Sequence, residues 1–234
     1  KSVVFYTNYG DDPCAYLRLR GPMDHLGIEI FDGKILGVTY PDLVSKGDIV
    51  VIQRDFPREF ENYEKIIKNC RAEKIPIIFD IDDLLLPEGH PDRQGQIYVE
   101  SLLPMLQAIH EADIVTVPTH KLKQWISEFN SNIQLLPNFL DDALWKMRPP
   151  LIEEANDRPL VIGFMGSESH IPDLEFITPA LSSIIQKYPD ELIYQFWGAK
   201  PPEKLANLPT PRVACEIVGG DGFDILKGKA KIIG

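Results

Sequence analysis

The chain has 234 residues, with 24 Lys+Arg against 35 Asp+Glu and a net charge of −11. That balance gives no basic footprint for nucleic acid or an anionic surface. A content of 44% hydrophobic and 25% charged residues argues against a disordered or collagen-like chain. The three cysteines, Cys14, Cys70 and Cys215, are far apart and form no CxxC. They argue against a zinc site or disulfide framework and fit a reducing, cytoplasmic setting. No apolar run approaches the roughly 20 residues of a membrane span. The chain opens with Lys1 rather than Met, as a trimmed or processed piece does.

In chain order, residues 3–6, 49–52, 75–79, 114–117 and 133–136 are short apolar runs rich in β-branched side chains. They are apolar at consecutive rather than alternate positions, which predicts strands buried on both faces of a parallel sheet. Residues 29–36 look like a hairpin turning at Asp32-Gly33. Helical spacing follows at Tyr63, Ile66, Ile67 and Cys70, then at Leu102, Leu106 and Ile109, where Pro104 kinks or starts the helix. Leu122, Trp125, Ile126 and Phe129 make a third stripe. Strands alternating with helices predict βαβ units and a Rossmann-like α/β layer sandwich.

Residues 141–159 are polar and broken by prolines, as a linker is. They divide an N-terminal domain, 1–140, from a short second α/β domain, 160–234. The second domain restarts with a strand at 160–165, a tight loop at 166–170, and a helix whose first turn holds Pro172. That helix carries the stripe Leu174, Ile177, Leu181, Ile184, Ile185 and Tyr188, and a further strand follows at 192–197.

Three segments carry candidate chemistry. The first is Asp80-Ile-Asp82-Asp83, just past an apolar strand. Carboxylates there lie at the carboxyl edge of a parallel sheet, where open α/β folds bind ligands. The residues leave several readings open. Asp80 and Asp82 could hold a divalent cation against a diphosphate. Asp80 could be the nucleophile of a dehalogenase-type phosphatase with Asp82 as its acid, although Leu84 stands where that motif has Thr. Asp82 and Asp83 could line a cleft and deprotonate an acceptor hydroxyl without metal. One or two of them could merely cap the turn.

The second segment is Gly166-Ser167-Glu168-Ser169-His170, between a strand and a proline-started helix. Small residues and unpaired helix N–H groups make an anion site there, to which His170 can donate. The spacing is not GxGxxG, which disfavours nicotinamide binding. The third segment is Asn8-Tyr9-Gly10 with the following Arg18 and Arg20. Arg54, His90 and Arg93 follow other strands and could converge on the same edge. Gly219-Gly220-Asp-Gly222 is a looser glycine loop.

The ordered set Tyr16-Leu-Arg-Leu-Arg-Gly-Pro22, Gly47-Asp-Ile-Val-Val-Ile-Gln-Arg54, Phe79-Asp-Ile-Asp-Asp83, Ala112-Asp-Ile-Val-Thr-Val-Pro118, Leu136-Pro-Asn138 and Ile162-Gly-Phe-Met-Gly166 resembles the group 1 (family 4) glycosyltransferases of GT-B fold. The resemblance spans about residues 3–200. It implies two Rossmann-like domains facing a cleft, the first for a hydroxyl acceptor (a glycan or glycolipid precursor) and the second for a nucleotide-sugar donor. Transfer would proceed with retention, without metal and without any cofactor beyond the donor. Carried over, Asp82 and Asp83 are the catalytic candidates. Gly166, Ser167, Ser169, His170, Asn8 and Gly10 border the donor. Tyr9, Arg18, Arg54, His90 and Arg93 are candidates for acceptor contacts, and Asn138 ends the first domain.

The family's Glu-x7-Glu pair is absent, since no two Glu stand eight apart. The resemblance therefore implies an incomplete donor half, so that the fragment alone need not be active. Peripheral membrane contact with a lipid-linked acceptor is compatible with this reading; a transmembrane segment is not expected. A third class of reading is a non-catalytic module that binds a sugar or a protein partner.

Overall fold

The structure is a computed structural model that describes residues 1–8, 13–83, 94–142, 146, 160–166, 170–189, 191–198, 200–206 and 213–216. It divides into two compact units, Lys1–Trp145 and Lys146–Gly234.

The first unit begins with β1 (Ser2–Tyr6), followed by one unbroken helical run. That run comprises α1 (Pro13–Ala15), a π-helical stretch Tyr16–Arg20, and α2 (Gly21–Leu26). Gly27, at a φ of 64°, ends it in the left-handed conformation that glycine adopts without steric cost. Next come β2 (Glu29–Asp32), β3 (Lys34–Ile35), β4 (Val38–Thr39) and a 3-10 turn Pro41–Lys46. β5 (Ile49–Gln53) leads through a 3-10 turn Phe56–Arg58 into α3 (Phe60–Glu73). β6 (Ile77–Asp80), α4 (Gln94–Glu111), β7 (Ile114–Val117), α5 (His120–Ile126) and β8 (Ile133–Leu135) complete the unit.

Six of these strands form one sheet in the order β2-β1-β5-β6-β7-β8, with every neighbouring pair parallel. The alternation of side chains fixes two buried faces. Val4, Tyr6, Val50, Ile52, Ile77 and Phe79 pack with Tyr63, Ile66 and Cys70 of α3 and with Met105, Ala108 and Ile109 of α4. Val3, Phe5 and Val51 point the other way, onto Ala15, Leu19 and Met23 of the first helical run. Helices therefore cover both faces, which is why the strands are apolar without interruption. Each fully buried aliphatic or aromatic side chain contributes roughly 1.5–3 kcal/mol.

Three sequence expectations are corrected. The predicted hairpin at 29–36 does not form: Glu29–Asp32 joins the sheet parallel to β1. The hairpin that does form pairs Lys34 with Thr39 and Ile35 with Val38. It turns at Leu36 (φ 49°) and Gly37 (φ 81°), the two positive values of a primed turn. Gly33 is needed because a β-carbon there would run into the buried Tyr6 ring. Second, Pro104 does not start a helix but lies inside α4, whose buried side chains include Ser101, Met105, Ala108 and Ile109 rather than Leu102 and Leu106. Third, Phe129 lies beyond α5 and packs on Trp125, ring centroids 5.2 Å apart.

The second unit contains β9 (Leu160–Met165), α6 (Ile171–Lys187), β10 (Leu192–Trp197), α7 (Glu203–Ala206) and β11 (Val213–Glu216). Its three strands are parallel in the order β11-β10-β9. Leu174, Ile185, Tyr194, Phe196 and Leu205 form its core, with Ile162 and Phe164 against it. The predicted stripe on α6 is only partly buried: Ile177, Ile184 and Tyr188 remain about 40% exposed. The predicted linker lies almost wholly outside the described residues, as does the 219–222 glycine loop. No helix among the described residues is long and apolar enough to cross a membrane.

Candidate functional site

The strand order reverses between β1 and β5: β2 lies to one side of β1, and every later strand of the sheet lies to the other. The carboxyl ends flanking such a reversal leave a crevice, because their connections depart over opposite faces. Asn8 leaves β1 there, Arg54 leaves β5, and Asp82 and Asp83 leave β6.

Arg54 has a φ of 53°, an uncommon conformation for a residue with a side chain. Its amide donates to the carbonyl of Asp80 at 2.9 Å, which anchors the strained turn to β6. The guanidinium Nη1 donates to Cys14 Sγ at 2.9 Å, and Nε lies 3.5 Å from Asp82 Oδ1. The Asp82 side chain is 10% exposed, and its Oδ1 accepts no hydrogen bond among the described residues. Burial pushes the Asp82 carboxyl above its usual value. Arg54 opposes that, Asp80 reinforces it, and a hydrogen bond to Cys14 and the charge of Arg18 oppose it further. Asp83 is exposed.

Asn8 is held from two sides: its Nδ2 donates to the Asp55 carbonyl at 3.2 Å, and its Oδ1 accepts from Lys34 Nζ at 2.8 Å. Lys34 also pairs with Glu59, which accepts from Thr39 Oγ1 at 2.7 Å and Asn62 Nδ2 at 3.3 Å. Burial raises the Glu59 carboxyl, but the hydrogen bonds from Lys34, Thr39 and Asn62 outweigh it and hold the group below its usual value. Sequence reasoning missed Lys34 and Glu59, since neither follows a strand of the main sheet in a recognisable motif.

Arg18 takes a different place from a solvated or ligand-facing helix charge. Its guanidinium forks onto Asp80, with Nε at 2.9 Å from Oδ2 and Nη2 at 2.6 Å from Oδ1. Nη1 donates to the Leu136 carbonyl at 3.0 Å and to Asn138 Oδ1 at 2.8 Å. Asp80 also accepts from Thr116 Oγ1 at 2.6 Å and Gln53 Nε2 at 3.2 Å. With the carboxylate 0% exposed and both oxygens engaged, it cannot reach a phosphorus atom, so its reading as a phosphatase nucleophile is corrected. Tyr16 Oη adds a 3.0 Å bond to Asp141, so the π-helical stretch grips the segment that leaves the unit.

In the second unit, Gly166 and Gly198 end adjacent parallel strands. Gly198 has a φ of 87°, and a β-carbon on it would come within 2.5 Å of the Gly166 carbonyl oxygen. His170 opens α6, with Nδ1 2.9 Å from Asp173 Oδ2, and is more than half exposed. Tyr9, Gly10, His90, Arg93, Ser167 and Ser169 lie outside the described residues. Among the described residues, no group of three or more His, Cys, Asp or Glu is placed to hold a metal ion.

No protein-family profile matches the chain, and no curated protein does. Among solved structures, one similar chain is a Listeria monocytogenes protein assigned as UDP-N-acetylglucosamine 2-epimerase. It is 14% identical with a TM-score of 0.48, over 97% of this chain and 70% of that one. Another is S. aureus MnaA, solved with UDP, at 15% identity and a TM-score of 0.46, over 96% and 70%. Likeness this low carries no argument, so the α/β architecture rests on the sheet order and register given above.

Proposed function

We propose that the chain is part of a glycosyltransferase that moves a sugar from a nucleotide-sugar donor to a hydroxyl acceptor. The observation that carries this reading is the Arg54–Asp82 pair at the carboxyl ends of β5 and β6, with Asn8 bonded to the neighbouring Asp55 at the end of β1 and Arg54 held in a strained conformation. Backbone strain of that kind costs about 1–3 kcal/mol and persists where the surroundings impose it.

In the proposed reaction the bond from the anomeric carbon to the donor diphosphate breaks, and a bond to the acceptor oxygen forms. The acceptor proton leaves to a base. Asp82 suits that role, because a buried carboxyl with a raised affinity for protons works closer to neutral pH than an exposed one. Asn8 and Arg54 offer donors to hydroxyl and anionic oxygens. In the second unit, Gly166, Ser167, Ser169 and His170 are proposed, on the sequence resemblance, to bind a donor's diphosphate ahead of a helix N-terminus. Retention of configuration, independence of metal and a glycan or lipid-linked acceptor rest on the sequence resemblance alone.

The test is a calorimetric binding screen of UDP-, GDP- and dTDP-sugars, repeated with chelator, followed by transfer assays on hydroxyl acceptors. Chelator-resistant binding with sugar transfer is expected. Binding with inversion of a sugar carbon but no transfer would redirect the reading to epimerisation. Retained glycan binding without nucleotide-sugar binding would redirect it to a non-catalytic module.

A further inference from the structure

We infer that Lys34 is a positioning residue that fixes the orientation of the Asn8 amide, and that Glu59 in turn fixes Lys34. The inference rests on the proposed placement of Asn8 in the site. An Asn side chain presents an acceptor on one arm and two N–H donors on the other, and a half-turn about its last bond exchanges them. At Asn8 both arms are assigned. The ammonium of Lys34 has donors only, so the atom 2.8 Å from it must be the oxygen. The arm 3.2 Å from the Asp55 carbonyl must then be the nitrogen. One N–H of that nitrogen goes to Asp55, and the other is left to face a ligand oxygen at the sheet edge.

Lys34 is itself immobilised. Its side chain is 16% exposed, and Glu59 pairs with it while accepting from Thr39 and Asn62. Of the three ammonium donors, Asn8 and Glu59 take two among the described residues. An amide N–H fixed in direction suits an oxygen-rich ligand group such as a sugar hydroxyl or a phosphate oxygen. The strands converge to allow this. Gly33 donates its amide to the Phe5 carbonyl at 2.8 Å, which brings Lys34 beside the residue that leaves β1.

The experiment is a double-substitution cycle on the whole chain, using Asn8→Ala, Lys34→Met and their combination. UDP-glucose, GDP-mannose and dTDP-glucose are the probes, and the tightest binder is carried through. Lys34→Arg serves as the conservative variant, and urea unfolding monitors stability. Lys34→Met is expected to weaken binding about tenfold, the order of one charge-assisted hydrogen bond. In the Asn8→Ala background it should add little, because the group it positions is gone. Lys34→Arg should restore most of the affinity. A full loss from Lys34→Met in both backgrounds, or none in either, overturns the inference. If Asn8→Ala alone is costly and Lys34→Met is not, only this inference falls. If Asn8→Ala is itself neutral, the placement of Asn8 in the site falls with it.

Discussion

Arg18 and Asp80, 62 residues apart in sequence, meet as a forked ion pair whose side chains are 1% and 0% exposed. Asp80 is held by the two neighbouring strands and the first helical run together, because Gln53, Thr116 and Arg18 all converge on its two oxygens. Arg18 extends the same contact to Leu136 and Asn138, where the chain leaves the sheet. The node therefore lies beneath Arg54 and Asp82 and sets where both emerge.

Breaking that pair from one side leaves an uncompensated buried charge, which costs about 3–5 kcal/mol. Arg18→Met and Asp80→Leu should each lower the free energy of urea unfolding by that order. The double substitution should cost less than the sum of the two, because neither charge is then stranded. An Arg18→Met protein with an unchanged midpoint and a raised KM for acceptor would return Arg18 to the ligand's side.

At Arg54 two substitutions separate backbone from side chain. A left-handed residue with a β-carbon costs about 1–2 kcal/mol that glycine does not. Arg54→Gly should therefore be more stable than Arg54→Ala by about 1 kcal/mol, the reverse of the order at an ordinary strand end. Both should raise the KM for the hydroxyl acceptor relative to the parent, since both lose the guanidinium. Equal stabilities for the two variants would remove strain from the account of this turn.

The strands were legible because their signal is local: consecutive β-branched residues appear only where both faces of a sheet are covered. Asp32-Gly33 misled for the same reason. A strong local turn signal was overridden by the parallel pairing of Glu29–Asp32 with β1, a contact no short window contains. Arg18 on Asp80 and Lys34 on Asn8 join residues 62 and 26 apart, so composition and spacing could not pair them. Arg54 carries its positive φ without a glycine to mark it. Asp82 was legible because a carboxylate just past an apolar strand falls at a sheet's carboxyl edge wherever the strands are parallel.

Gly166 is a poor place to test anion binding with a large side chain. A β-carbon there would stand 2.8 Å from the Phe164 ring and 3.4 Å from His170. Phe164 packs on Phe196 in the core of the second unit, with centroids 6.2 Å apart. Gly166→Val is expected to weaken nucleotide-sugar binding and also to destabilise the unit by about 1–3 kcal/mol through overpacking. His170→Ala removes an exposed ring and should leave the free energy of urea unfolding within about 0.5 kcal/mol of the parent's. Weaker binding in that variant at unchanged stability would place the loop at the diphosphate; unchanged affinity would remove His170 from it.

Asp82 gives a prediction in which stability and function move in opposite directions. The folded chain holds the Asp82 proton more tightly than the unfolded chain does, because burial disfavours the carboxylate more than Arg54 restores it. Above the ordinary aspartate value of about 3.9, the unfolded state loses that proton first. The native state then binds more protons than the unfolded one, so stability falls as pH rises through the window up to the raised native value. Asp82→Asn has no such ionisation. Its stability relative to the parent should therefore climb as pH rises from about 4 to the raised native value and level off above it, whatever constant offset the lost contacts impose. Urea midpoints of both proteins from about pH 4 upward read the slope directly, and a difference that never rises would contradict the burial of this carboxyl. Over the same range Asp82→Asn should transfer sugar far more slowly than the parent, because an amide cannot accept the acceptor's proton. Turnover that survives the substitution would take Asp82 out of the reaction.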